Sequence, residues 1–145
     1  VPEFTRSLAN NMRSASKVYA VDPAMFGAFS PASALDQGQR LETAVFNALR
    51  RRTPAVRVGS VCRLLIKEKS KSHEVDFVAR AYSLIQVSVD MASEKTRERE
   101  IAALDASMAQ FDLGESAIVT MDEQADIPCE HGAVHVVPAW KWLLA

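Results

Sequence analysis

Glu74-Val75-Asp76-Phe77-Val78-Ala79-Arg80 is followed, after a short break, by Leu84-Ile85-Gln86-Val87-Ser88-Val89-Asp90. Both segments alternate apolar and polar side chains with the two-residue period of half-buried strands. In the first, Val75, Phe77 and Ala79 share one face, and Glu74, Asp76, Val78 and Arg80 share the other. In the second, Ile85, Val87 and Val89 lie opposite Gln86, Ser88 and Asp90. Ala81, Tyr82 and Ser83 connect them, so an antiparallel hairpin is predicted. Pairing residue 80 with 84 sets Asp76 opposite Ser88 and Val78 opposite Gln86. Asp76, Gln86, Ser88 and Asp90 then make a polar patch on one sheet face.

Working outward, Val61, Leu64, Leu65 and Ile66 predict a strand over residues 61–67, joined to the hairpin by a charged turn at 68–73. The result is an antiparallel three-strand meander. Leu41, Ala44, Val45, Ala48 and Leu49 recur at helical spacing, so residues 33–52 are predicted as an amphipathic helix stopped by Pro54. Glu42 borders its apolar stripe. A second helix is expected over 93–111, with Ser93 as N-cap and Glu94 in the first turn. Its buried stripe is Ile101, Leu104, Met108 and Phe111; Arg97, Glu98, Arg99 and Glu100 form its solvated side. Asp112-Leu113-Gly114 stops it. Strands follow at 116–121 and 133–137, separated by an acidic excursion at 122–132, and Pro138 opens a last short helix bearing Trp140 and Trp142.

At the other end, residues 17–21 read as a short strand closed by Asp22-Pro23. Residues 23–29 read as a helical turn presenting Met25 and Phe26, and residues 1–16 as a polar connecting arm. The order of elements gives an α/β domain over 17–145: a mixed sheet, with the meander plus a parallel strand reached through a helical crossover, flanked by helices.

Several stretches, taken in order, carry a resemblance. They are Lys17-Val18-Tyr19-Ala20-Val21-Asp22, Leu41-Glu42 with Val45-Phe46 and Leu49-Arg50-Arg51-Arg52, Glu74-Val75-Asp76-Phe77-Val78, Ile85-Gln86-Val87, and the ending Val136-Val137-Pro138-Ala139-Trp140-Lys141-Trp142-Leu143-Leu144. Together they resemble the nuclease-like C-terminal domain of uncharacterised prokaryotic AAA+ ATPases, a domain of the PD-(D/E)XK, or restriction-endonuclease-like, class. The resemblance implies a restriction-endonuclease-like core. It makes Glu42 the helix-borne acid, Asp76 the motif acid and Gln86 the residue at the second acid position, with Ser88 where the nuclease lysine stands.

Cleavage of a phosphodiester by such a site needs a hard cation, magnesium, held by oxygen ligands. Glu42 and Asp76 are the candidate metal ligands, with Asp90 as a third carboxylate and Gln86 as a neutral carbonyl beside the catalytic acids. Ser88 cannot carry the positive charge that the lysine supplies, and loss of such a group costs on the order of 10²–10³ in rate. Lys67 and Lys71 are the basic residues considered able to reach the site. The resemblance therefore implies a degenerate domain serving nucleic-acid or partner binding, with an active metal-dependent DNA or RNA endonuclease as the alternative. Its partners would be the parent ATPase domain, nucleic acid or a second copy, and ATP would bind only in an N-terminal domain outside this sequence.

The 145 residues carry a net charge of −1, so no global basic field points to nucleic acid; contacts would fall on local groups such as Arg50-Arg51-Arg52 or Lys67, Lys69 and Lys71. No apolar run reaches membrane-spanning length and no signal peptide shows, and the start at Val1 reads as a piece cut from something longer. Cys62 and Cys129 lack metal-ligand spacing and read as thiols of a reduced cytoplasm. His73, His131 and His135 fall in different segments, which argues against zinc. Walker and nucleophile-elbow motifs are absent. Trp140 and Trp142, two apart in a helix, face different ways; one caps the core and the other marks a partner surface.

Overall fold

The computed structural model describes residues 1–4, 16–25, 34–53, 60–68, 71–79 and 83–145. Among them the elements run α1 (Ala34–Arg52), β1 (Cys62–Glu68), β2 (Lys71–Ala79), β3 (Ser83–Val87), α2 (Glu94–Phe111), β4 (Glu115–Thr120), β5 (Ala125–Cys129), β6 (Gly132–Pro138) and α3 (Ala139–Leu144). One six-stranded mixed sheet has the order β1-β2-β3-β4-β6-β5. β1, β2 and β3 are antiparallel, α2 crosses to β4 parallel to β3, and β6 adds parallel to β4. The order helix, antiparallel meander, helix, parallel strand is the one expected from the sequence.

Two apolar clusters sandwich this sheet. Leu64, Val75, Val78, Leu84, Ile118, Val134 and Val136 pack with Ala103, Leu104 and Met108 of α2. Phe77, Ala79, Ile85 and Val119 pack on the other face with Leu41, Val45 and Leu49 of α1 and Ala139 of α3. Burial of these side chains supplies the main drive to fold, roughly 1.5–3 kcal/mol for each large one.

The hairpin pairs Val78 with Leu84 and Ala79 with Ser83, so residues 80–82 connect its strands and Asp76 falls level with Gln86, not Ser88. That is a slip of two residues from the predicted pairing. Because side chains alternate with period two, the slip keeps the faces of β3. The faces of β2 do change. Cys62 pairs with Val78 but Leu64 with Val75, so β2 carries one extra residue around Asp76 and Phe77. This β-bulge turns Val75 towards α2 while Phe77 packs towards α1, although strict alternation puts them on one face.

Other expectations are corrected. Most of the turn predicted at 68–73 is strand instead: Ile66 pairs with His73, Lys67 with Ser72 and Glu68 with Lys71. The acidic excursion holds a strand, β5, antiparallel to β6; its Pro128 is tolerated because β5 is the sheet edge. Residues 17–21 form no strand. The first residues of the arm are docked: Glu3 bridges Arg63 in parallel, and the Phe4 ring meets Phe111 edge-on at 5.5 Å. The rest of the arm through residue 15, and residues 26–29 of the proposed helical turn, lie outside the described residues. Ser93 is the N-cap of α2, but its side chain makes no cap bond. Glu100 is buried rather than solvated, with Arg99 Nη2 donating to it at 2.5 Å. Neither Cys62 nor Cys129 is in a disulfide, and no described helix is long and apolar enough to cross a membrane.

Candidate functional site

Asp76 sits at the bulge, where the β2–β3 ladder ends. Its pairing with β3 is completed by side chains. Its backbone N–H donates to Gln86 Oε1 at 3.0 Å, and its own Oδ2 accepts the Val87 N–H at 3.0 Å. A bulge leaves backbone groups without ladder partners, and these two bonds satisfy them. Asp76 and Gln86 are both buried.

The remaining Asp76 oxygen, Oδ1, accepts a bond from the Lys17 ammonium at 3.1 Å. The same nitrogen lies 3.1 Å from Glu42 Oε1 and 3.2 Å from Glu74 Oε1. The Glu42 and Asp76 carboxylates therefore approach each other to no more than twice the ion-pair distance. Glu42 Oε1 also accepts the Tyr19 hydroxyl at 2.5 Å.

The segment that delivers Lys17 is held by packing. Tyr19 stacks on Phe46 of α1 with centroids 4.5 Å apart and lies 5.7 Å from Phe77. Asn47 Nδ2 donates to the carbonyls of Ala20 and Val21. Lys17 and Tyr19 reach α1, whereas Val18 and Val21 remain 92% and 86% exposed. Inward and outward side chains alternate only over Lys17-Val18-Tyr19; Val21 points outward where alternation would turn it inward, and the segment makes no sheet pairing.

Electrostatics follow from this geometry. Burial first, then the Glu42 charge, pushes Asp76 up to about 6, against the pull of Lys17 and the Val87 N–H. Lys17 loses solvation on burial, but Asp76 and Glu42 more than offset that and hold its pKa above the ordinary lysine value. Burial and the Glu42 bond raise Tyr19, so its hydroxyl stays protonated as a donor. Lys17 favours the ionised acids. Asp76 nevertheless remains hard to ionise, because it is the more deeply buried partner and Glu42 repels it.

Glu42, Asp76 and Gln86 are brought together as anticipated. Ser88 and Asp90 are occupied locally: Ser88 Oγ donates to the Asp90 carbonyl, and Asp90 Oδ1 accepts the Ala92 N–H as an exposed turn. The side chains of Lys67 and Lys71 lie outside the described ones. The cation at the acids comes instead from Lys17, and Tyr19 and Glu74 join the same network; sequence reasoning assigned none of these a place in the site. The signal available was the Lys17-Val18-Tyr19 alternation, which sets both polar heads on one side.

Glu74, Asp76 and Gln86 also border a cleft of about 290 Å³ with His73, Arg99 and Glu100. A larger cleft, about 820 Å³, lies elsewhere, between Leu49, Arg52, Ala79, Ile85, Ala117 and Trp142, and holds none of the acids of the Lys17 cluster. Of the arginine run, Arg52 is engaged: its guanidinium sits 4.5 Å over Trp142 and donates to the Trp142 and Leu143 carbonyls. Trp142 packs against the core and is the expected cap, while Trp140 is 63% exposed. Met25 is exposed too. Compared with protein-family models, with curated proteins and with solved structures, the chain matches none.

Proposed function

We propose that the chain is a restriction-endonuclease-like domain of a prokaryotic AAA+ ATPase whose metal-binding acids have become an internal ion-pair cluster. The domain then serves nucleic-acid or partner binding rather than hydrolysis. The order of helix, meander, helix and parallel strand supports the restriction-endonuclease-like core of this reading, and the link to an ATPase rests on the sequence resemblance. The conversion of the acids to an ion-pair cluster rests on one observation: a single ammonium, Lys17 Nζ, fills the point on which Glu42, Glu74 and Asp76 converge.

An all-oxygen donor set suits a hard cation such as magnesium in its chemistry. Glu42, Glu74 and Asp76 would hold it, and it would supply charge stabilisation and an acidified water. Here, however, both Asp76 oxygens and Glu42 Oε1 already accept protein donors. Entry of an ion would require Lys17 to leave, and that would forfeit charge-assisted bonds to two acids at once.

A second reading is favoured by the same lysine. Lys17 beside Asp76 restores the positive charge missing at Ser88, which would suit an active metal-dependent endonuclease. Incubation of the chain with single- and double-stranded DNA and with RNA, in Mg²⁺ or Mn²⁺, separates the two. No cleavage above that of Asp76→Asn is expected. Metal-dependent cleavage abolished by both Asp76→Asn and Lys17→Met would establish the second reading and sink the first.

A further inference from the structure

The turn joining β5 to β6 is built against α2. His131 donates its backbone N–H to Asp105 Oδ1 at 2.9 Å, and its ring Nδ1 lies 3.0 Å from Asp105 Oδ2. Glu130, next in the turn, brings a third donor, so that ligand atoms of Asp105, Glu130 and His131 all lie within 4.8 Å of one another.

We propose that Asp105, Glu130 and His131 form a binding site for a divalent transition ion of the zinc class, which clamps the β5–β6 turn to α2. One imidazole nitrogen and two carboxylate oxygens are a donor set zinc accepts, and three protein ligands leave a fourth position for water or an external group. At zinc–ligand distances of 2.0–2.2 Å, the donors of a tetrahedral site stand about 3.3 Å apart. The His131–Asp105 separation is already close to that. Glu130 is exposed, so rotation of its side chain closes the remaining gap without moving the backbone.

The turn is also preorganised. Gly132 has φ +156°, and a Cβ there would fall 2.1 Å from the Gly114 carbonyl oxygen. Ala133 N–H donates to that same oxygen at 3.0 Å. The backbone carrying His131 is therefore fixed between the start of β4 and α2, and the cost of organising the ligands is met by the fold. A simple clip made of a histidine and an aspartate would need neither Glu130 nor a metal. His135, whose Nδ1 meets Asp126 at 2.7 Å, is such a clip on the outer strands and has no third donor group among the described residues, so it serves as the internal control.

The test is calorimetric titration of the 145-residue chain with Zn²⁺, and separately with Mg²⁺, alongside thermal unfolding with and without Zn²⁺. One-to-one Zn²⁺ binding is expected, absent for Mg²⁺ at this site, with a rise in unfolding temperature. His131→Ala and Glu130→Gln should each weaken Zn²⁺ binding at least tenfold and remove the temperature rise, whereas His135→Ala and Asp76→Asn should leave both intact. His131→Ala keeps the backbone bond to Asp105, so far-UV circular dichroism should show it folded. A wild-type chain that binds no Zn²⁺, or variants at His131 and Glu130 that bind as tightly as wild type, would overturn the proposal.

Discussion

Lys17 Nζ lies 3.1 Å from Asp76 Oδ1, joining a residue of the N-terminal segment to the bulge of a central strand. Asp76 is deeply buried and Lys17 is one-third exposed, so this pair is neither a surface bridge of negligible worth nor a fully desolvated one. Removing the lysine leaves Asp76 and Glu42 facing each other without a counter-charge. Lys17→Met is expected to lower stability by about 2 kcal/mol. In combination with Asp76→Asn the losses should be less than additive, read from a double-mutant cycle in urea. Additive losses would show that the pair does not interact in solution.

Asp76 also sets a pH dependence. Its folded value of about 6 stands above the ordinary 3.8, so between these limits the folded chain keeps a proton that the unfolded chain has released. Stability must then fall as pH rises from about 4 through about 6, and level off above. The whole fall is worth about 3 kcal/mol. Urea midpoints measured across pH 4–7 for wild type and Asp76→Asn should diverge in this window, with the Asn variant flatter. Parallel profiles would refute the assignment.

Among the described glycines, Gly132 is the one whose replacement the backbone forbids. With its Cβ position 2.1 Å from a carbonyl oxygen, Gly132→Ala must push the β5–β6 turn off the Gly114 segment. A loss of more than about 2 kcal/mol is expected, against less than about 0.5 for Gly114→Ala, whose Cβ would meet nothing within 4 Å. Thermal unfolding of the two variants checks this.

The tryptophans should separate cleanly. Trp140→Ala removes an exposed ring and should change stability by no more than about 0.5 kcal/mol. Trp142→Ala removes both core packing and the partner of Arg52, and should cost about 1–3 kcal/mol. If Trp140 is a partner contact, its loss should instead show in association, as a shift from dimer to monomer in sedimentation. Equal stability losses for both variants would contradict the division of roles.

The sequence by itself determined the spans of α1 and α2, the meander, the crossover to a parallel strand, and the placing of Asp76 and Gln86 on one sheet face. These follow from local periodicity and from the few ways such elements can stack. It missed β5, since Ala125-Asp126-Ile127-Pro128-Cys129 looks like a loop until β6 offers it an edge. It also missed the bulge at Asp76, because one inserted residue leaves the alternation readable on either side. Tertiary structure alone decided which charge meets the acids: Lys17 stands 25 positions before Glu42 and 59 before Asp76. Nothing in a repeating pattern encodes that distance. It depends on Tyr19 stacking on Phe46 beside Phe77, and on the bulge that lifts Asp76 out of the ladder. Likewise Asp105 meets His131 only because the β5–β6 turn folds back on α2. Periodicity fixes which face a side chain takes, but contacts between distant charges are fixed by how the faces pack.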